Sequence, residues 1–144
     1  MQVKLVKVDY LKHIEGYSEK RVNNMKLKMI QSGIWEKPIC VEKNYLLILD
    51  GQHRVQVAKA LKLKYIPCEL FYYDDNGVEV WSLRKECFVS KNVVIERALK
   101  GNIYPYKTAK HRFPFKVKKC CIPLENLFQY NYLNGPKILH LNEI

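Results

Sequence analysis

The spacing of apolar residues along the chain predicts short strands interspersed with three helices. Apolar and polar residues alternate over residues 2–8, which predicts a strand. Ser18 is a typical N-cap residue and Gly33 a typical helix stop, so we predict a helix from Ser18 to about Gln31. Its predicted buried face consists of Val22, Met25, Met29 and Ile30.

The rest of the chain continues the same mixture of elements. We first predict a short strand near residues 39–42, a hairpin turn at Asn44, a strand ending at Asp50 and a helix reaching Leu61. A strand over 66–73, a hairpin turn at Asp74–Gly77 and a return strand over 78–83 follow. The last predicted helix covers 91–100, where Ser90 is its cap and Gly101 its stop. Residues 102–113 are predicted to be a basic loop. This order of elements predicts an α+β domain.

The most informative stretch covers residues 46–61, where a strand passes directly into a helix. A glycine at Gly51 lets the backbone approach a ligand, and the first amides of a helix have no partner within it, so this turn can hold an anion. Arg54 offers donors suited to phosphate, His53 can donate or transfer a proton, and Asp50 can hold a metal ion. An ordinary strand-ending turn with solvated charged residues is the alternative explanation.

The string Asp50-Gly51-Gln52-His53-Arg54, with Ile66-Pro67 after the helix, resembles the signature of the ParB/sulfiredoxin superfamily. The resemblance covers about the first hundred residues. It implies a single compact ParB/sulfiredoxin-like domain, with a small mixed sheet flanked by helices. We expect a nucleotide-binding catalytic domain over residues 1–115 and a C-terminal extension over 116–144 that packs on this core through a docking helix.

Differences within the superfamily favour one of its branches. Sulfiredoxins place a catalytic cysteine where this chain has Gln52, so their sulfinic phosphoryl ester chemistry lacks its nucleophile here. ParB partition proteins have a more arginine-rich turn and continue into a helix-turn-helix domain, for which too little sequence follows. Free L-serine kinases share D-G-x-H-R and a P-x-K-T-x-x-H segment, which is present here from Pro105 to His111. The chain is therefore most similar to free serine kinases.

That resemblance implies phosphoryl transfer from ATP or ADP, with Mg²⁺, to the hydroxyl of free L-serine, giving O-phospho-L-serine. The segment from Leu11 to Glu15 is similar to the L-x-x-H-E segment of these kinases, whose glutamate is the base. The expected catalytic residues are Glu15, Asp50 and His53, with Asp50 also the metal ligand. The expected phosphate-binding residues are Gly51, Gln52, His53 and Arg54, and the expected substrate-binding residues are Lys107, Thr108, His111 and Arg112.

Charge leaves a second class of function open. The chain has 144 residues, 48% of them hydrophobic, and a formal net charge of +11. This charge favours anionic partners without separating nucleotides from nucleic acids, and a solvated basic surface would also explain it. The alternative function is therefore a ParB-like switch that binds CTP or ATP, or a DNA-associated regulatory module without kinase activity. DNA is the less favoured partner. A nuclease is disfavoured, because no cluster of carboxylates suited to two metal ions is evident.

Cysteine usage and hydropathy indicate the compartment. Five cysteines without a C-x-x-C pair favour reduced thiols over disulfides or zinc. Metal binding by Cys120-Cys121 or by Asp74-Asp75 is a weaker alternative. No apolar run reaches membrane-spanning length, and the N-terminal segment alternates where a signal peptide would be continuously apolar. We therefore expect a cytoplasmic protein without membrane contact, whose oligomeric state the sequence does not indicate.

Overall fold

A computed structural model describes residues 3–128 and 137–140 of the chain. The helices of the described residues are α1 (Glu19–Ser32), α2 (Gln52–Ala60) and α3 (Lys91–Leu99). The strands are β1 (Val3–Lys7), β2 (Ile34–Trp35), β3 (Ile39–Glu42), β4 (Leu47–Asp50), β5 (Tyr65–Phe71), β6 (Glu79–Ser82), β7 (Ala109–Arg112), β8 (Ile122–Pro123) and β9 (Ile138–His140).

The main sheet has five strands in the order β4-β3-β5-β1-β9. Strands β3 and β5 run parallel, and the other neighbours are antiparallel. Two smaller sheets pair β2 with β8 and β6 with β7. Three helices around a small mixed sheet form a single α+β domain, which confirms the predicted fold class.

Both faces of the main sheet are buried, and β4 shows why. Its neighbour Leu46 and its residue Ile48 belong to the apolar cluster that includes Val55 of α2. The alternate residues Leu47 and Leu49 belong to a second cluster, which includes residues of α3. Successive side chains of a strand point to opposite faces, so a strand covered on both sides has to be apolar throughout. This packing fixes the end of β4, where Asp50 and the predicted anion-binding turn lie.

The helix boundaries follow the predicted caps. The Ser18 hydroxyl accepts a hydrogen bond from the backbone N–H of Arg21, and Gly33 ends α1 in the left-handed conformation. The prediction that Ile30 is buried is wrong, since 51% of it is exposed. Adjacent residues of an α-helix point about 100° apart, so Ile30 cannot share the face of the half-buried Met29.

None of the helices in the described part of the chain is long and apolar enough to cross a membrane.

The predicted hairpin between β5 and the segment after it is wrong. Strand β6 pairs with β7 instead, with Ser82 opposite Ala109 and Val80 opposite His111. Both edges of β5 are already occupied by β1 and β3, so no edge is available to a returning strand. Residues 109–112, predicted to be loop, supply the partner that β6 needs.

The C-terminal extension contacts the core through two strands. Strand β8 pairs with β2, where Ile122 lies opposite the buried Trp35, and β9 pairs with β1 at the edge of the main sheet. A 3-10 turn at Leu124–Leu127 buries Leu127, where we predicted a docking helix. Residues 129–136 and 141–144 lie outside the described part, and the proposed boundary at residue 115 stays a prediction.

Candidate active site

A cavity of about 490 Å³ lies where β4 passes into α2. Four parts of the fold contribute to its walls. They are Glu15 before α1, Arg21 and Met25 on α1, Leu49 to Arg54 at the turn, and Leu83 with Tyr106, Lys107, Ala109 and Lys110 from the β6–β7 region. The cavity thus brings together the predicted turn, the predicted base and part of the predicted basic loop.

Only a glycine fits at Gly51, the residue that links β4 to α2. Its φ of 120° lies in a region that other residues rarely adopt, and a Cβ there would lie 2.5 Å from Cγ2 of Ile39. The chain can therefore turn sharply, and α2 begins at the next residue, Gln52. Residues 52–54 form the first turn of α2 and line the cavity. The amides of a first turn have no partner within the helix, which makes them available to an anion.

The side chain of Gln52 points away from the cavity into the protein. Its Nε2 donates a hydrogen bond to the Ile48 carbonyl at 2.6 Å, and its Oε1 accepts one from Nδ1 of His13 at 2.6 Å. Nε2 of His13 accepts a further hydrogen bond from Gln56 at 2.7 Å. Burial lowers the pKa of His13, consistent with this neutral tautomer. Gln52 can therefore offer an anion only its backbone amide, and its side chain anchors the start of α2.

His53 borders the cavity as a neutral imidazole. Its Nε2 accepts a hydrogen bond from the backbone N–H of Ser18 at 3.0 Å, so the ring proton is on Nδ1. Burial lowers the pKa of His53, and the positive charge of Arg21 adds to this shift. The Tyr106 ring lies edge-on, with centroids 5.5 Å apart. His53 therefore offers the cavity a hydrogen-bond donor, Nδ1–H.

Arg54 holds its guanidinium against the turn. Nη1 donates to the carbonyls of Lys37 and Pro38 at 2.7 and 3.1 Å, and Nη2 lies 3.3 Å from the position that a Cβ of Gly51 would take. These two hydrogen bonds use one nitrogen of the fork. Nη2 lies beside the turn that begins α2, where it suits a phosphate.

Glu15 is the carboxylate that faces the cavity from the segment before α1. Its Oε1 accepts a hydrogen bond from the Ala109 amide at 2.8 Å, and its Oε2 accepts one from the Lys107 amide at 3.1 Å. Burial raises the pKa of Glu15, although these amides and the charge of Arg84 oppose the shift. A carboxylate with a raised pKa, held in place by two backbone amides, is suited to accept a proton.

Asp50 is exposed at the edge of the cavity. Mg²⁺ is usually held by one or two carboxylates together with the phosphates of a substrate, so this single carboxylate fits the ion. In residues 3–128 and 137–140, no group of three or more His, Cys, Asp or Glu side chains is placed to hold a metal ion. The site can therefore support a metal bound jointly with a phosphate.

The four predicted substrate-binding residues separate into two sets. Lys107 lines the cavity, whereas Thr108, His111 and Arg112 do not. Thr108 donates to the Pro105 carbonyl at 2.6 Å, His111 Nε2 lies 2.6 Å from the Tyr73 hydroxyl, and Arg112 pairs with Glu79 at 2.6 Å. Successive side chains of β7 point to opposite faces, so they cannot all face one ligand. The loop prediction had assumed that they do.

Several cavity residues were missed from the sequence. Arg21 donates a hydrogen bond to the Tyr106 hydroxyl at 3.2 Å and so connects α1 with the β6–β7 region beside the cavity. Arg21 and Tyr106 carry no local sequence signal, since their meeting depends on the tertiary fold. Lys110 also lines the cavity, and its place in the basic segment, whose donors suit an anion, is the sequence signal for it.

Solved structures share the fold of this chain. A conserved hypothetical protein from Pyrococcus furiosus is 18% identical, with a TM-score of 0.80, over 89% of this chain and 98% of that chain. A free serine kinase in complex with AMP is 18% identical, with a TM-score of 0.80, over 89% of this chain and 95% of the kinase. SbnI from Staphylococcus aureus, with a C-terminal truncation, is 14% identical, with a TM-score of 0.79, over 92% of each chain.

These similarities establish the fold. No protein-family model matches the chain, and no curated protein matches it in sequence. The similarities do not extend to activity or substrate.

Proposed function

We propose that this protein is a phosphotransferase that moves a phosphoryl group from ATP or ADP to the hydroxyl of free L-serine. The observation that carries the proposal is that Glu15 and the N-terminal turn of α2 line the same cavity. One wall offers a proton acceptor and the other an anion site, which are the two groups that phosphoryl transfer to a hydroxyl requires. The free serine kinase with the same fold has been solved with AMP and, as a variant, with ADP, which supports a nucleotide in this cavity.

The phosphates of the nucleotide would lie on the first amides of α2. The guanidinium of Arg54 lies beside those amides, and Arg21 and Lys107 add positive charge to the same cavity. Donors held in place before the reaction stabilise the charge of the transferring group without reorganising. Asp50 is the residue that would hold Mg²⁺ together with the phosphates. When bound, the ion neutralises part of their charge.

Glu15 would accept the proton of the substrate hydroxyl. The hydroxyl oxygen attacks the terminal phosphorus, a bond forms between them, and the bond to the nucleotide oxygen breaks, leaving the shorter nucleotide. His53 would donate its Nδ1–H to the charge that develops on the phosphoryl group. Positioning and electrostatics account for most of the catalysis in reactions of this type.

The basic side of the cavity would bind the carboxylate of the amino acid. Lys107 and Lys110 line the cavity on the side of the amides that hold Glu15, so a carboxylate there leaves a hydroxyl within reach of the base. Thr108, His111 and Arg112 would contribute by maintaining the shape of the segment that carries these lysines.

Free thiols at all five cysteines favour a reducing compartment, and we place the protein in the cytoplasm.

Phosphorus NMR tests the proposal directly. The protein is incubated with Mg²⁺ and L-serine, and with ATP, ADP or CTP in separate samples. We expect a phosphomonoester signal that requires L-serine and identifies the phosphate donor. Glu15→Gln should lower kcat by about 10²-fold or more while nucleotide binding is retained, because a general base contributes to the chemical step.

Glu19→Gln is the matched control. Glu19 is an exposed glutamate in the first turn of α1 that does not line the cavity, so its replacement should leave turnover unchanged. Full activity of Glu15→Gln would contradict the assignment of the base. Absence of a phosphomonoester with every nucleotide would contradict the kinase.

A ParB-like switch or a DNA-associated module is the second candidate, favoured by the net charge of +11. It predicts nucleotide binding without a phosphorylated amino acid, and duplex binding that weakens steeply as salt is raised. Electrophoretic mobility shifts at low and physiological salt, with and without nucleotide, distinguish it from the kinase.

A further inference from the structure

The peptide group between Tyr106 and Lys107 connects two charged side chains. Its N–H donates to Oε2 of Glu15 at 3.1 Å, and its carbonyl accepts from Nε and Nη2 of Arg84 at 3.1 and 2.5 Å. The N–H and carbonyl of a trans peptide point in opposite directions. Arg84 and Glu15 therefore bind opposite sides of the same peptide group.

The backbone around Arg84 is itself held in place. The Ser82 hydroxyl accepts from the Arg84 amide at 3.0 Å and donates to the Arg84 carbonyl at 2.7 Å. The adjacent Leu83 amide donates to the Thr108 carbonyl at 2.8 Å. The guanidinium also pairs with Glu86, whose Oε1 lies 3.6 Å from Nη1, and this glutamate is largely exposed. The arginine is thus fixed relative to the segment that carries the amides bound to Glu15.

That segment needs to be held, because Lys107 has a φ of 58°. This left-handed conformation is unfavourable for a residue with a side chain, and Lys107 adopts it directly after the carbonyl that Arg84 binds. A different conformation at Lys107 would turn its N–H away from Glu15. The two hydrogen bonds from Arg84 oppose that change.

We propose that Arg84 is a positioning residue for Glu15. Arg84 holds the Tyr106–Lys107 peptide in place and, through that polarised peptide, favours the ionised carboxylate of Glu15. The inference rests on the proposed function only in taking Glu15 to be the base. Hydrogen bonds in a chain polarise one another, so a guanidinium on the carbonyl strengthens the N–H as a donor. The charge of Arg84 accordingly lowers the pKa of Glu15, against the larger effect of burial.

The other charged and titratable groups around Glu15 lie on the cavity side. They are Arg21, Asp50, His53, Arg54, Tyr106, Lys107 and Lys110. A bound nucleotide would contact or screen these groups, whereas Arg84 does not line the cavity and acts from behind the peptide. Arg84 can therefore keep its effect on Glu15 throughout a reaction.

The test follows the ionisation of Glu15 by carbon NMR of labelled glutamate side chains, with the Glu15 signal assigned from Glu15→Gln. In Arg84→Gln we expect the titration to move to higher pH. In Arg84→Lys, which keeps the charge but not the paired donors, the shift should be smaller. The acid limb of the pH profile of kcat/KM should move in the same direction in both variants.

Arg97→Gln is the matched control. Arg97 also donates to backbone carbonyls before β7, those of Asn102 and Ile103, but it does not touch the Tyr106–Lys107 peptide. Its replacement removes the same charge and should leave the titration of Glu15 where it is. Amide spectra establish that each variant is folded, and Arg84→Lys is decisive if Arg84→Gln does not fold.

Two results would overturn the inference: an unchanged titration in the folded Arg84 variants, or an equal shift in Arg97→Gln. The titration requires no kinase activity. A shifted titration in a protein that forms no phosphorylated product would therefore support the action of Arg84 on Glu15 while contradicting the proposed function.

Discussion

At the scale of single residues, His111 makes the stability of the protein depend on pH. Its ring stacks on Tyr73, with centroids 5.7 Å apart, and burial lowers its pKa from 6.5 to about 3. Between these values the unfolded chain binds a proton that the folded protein excludes. The free energy of unfolding should therefore be unaffected by His111 above about pH 6.5. It should decrease as the pH falls towards 3, by up to about 1.4 kcal/mol per pH unit.

Urea unfolding near pH 7 and pH 5 measures this effect. His111→Phe removes the titrating group, so its stability should change less between the two pH values than that of the wild-type protein. The variant should also be less stable near pH 7, by about 1–3 kcal/mol, because the Tyr73 hydroxyl loses its partner. His53→Gln, at a half-buried histidine, is the control and should keep most of the pH dependence. Equal pH dependence in His111→Phe and the wild type would contradict the prediction.

At the scale of elements, the junction of β4 and α2 depends on Gly51. An alanine there would have both an unfavourable φ of 120° and a Cβ 2.5 Å from Cγ2 of Ile39. The two effects together should lower the free energy of unfolding by roughly 2–5 kcal/mol. The N-terminal turn of α2 would also shift, so nucleotide binding should weaken in the variant.

Gly101→Ala separates the two contributions in a urea titration. Gly101 has a φ of 73°, but an added Cβ would meet no atom within 4 Å. This variant should therefore lose only about 1–2 kcal/mol, the cost of the backbone conformation alone. Equal losses at the two glycines would show that contact with Ile39 does not matter.

The elements that sequence reasoning predicts correctly are those with local causes. Caps at Ser18 and Ser90 mark the starts of α1 and α3, and the Asp50-Gly51 turn is fixed by its own glycine. The partner of β6 could not be predicted locally, because it depends on which edges of β5 the rest of the fold leaves free. Periodicity predicts that a strand forms and not which strand it joins.

The same distinction applies to the candidate site. The turn at α2 was predictable because its amides and its glycine are contiguous in sequence. The contacts of Arg84 and Arg21 with Tyr106 were not, since each joins segments more than twenty residues apart. His111 does not line the cavity, for a related reason. A segment predicted to be loop gives no indication of which residues point inward, whereas β7 imposes alternation.

At the scale of the whole molecule, ligand binding should be measurable as stability. A ligand that binds only the folded protein at about one hundred times its Kd adds about 2.7 kcal/mol, roughly 8 °C in Tm for a domain of this size. ADP with Mg²⁺ should raise Tm in this way, and less so at high salt, because the cavity cations are partly screened.

The dependence of that stabilisation on Mg²⁺ should require Asp50. In Asp50→Ala we expect the rise in Tm with ADP to be the same with Mg²⁺ as with EDTA, whereas the wild-type protein should show a larger rise with Mg²⁺. Asp74→Ala is the matched control, since Asp74 is an exposed aspartate that does not line the cavity. An Mg²⁺-dependent rise that survives in Asp50→Ala would remove Asp50 as the ligand. Loss of the rise in both variants would indicate a change in the protein as a whole, because Asp74, unlike Asp50, does not line the cavity.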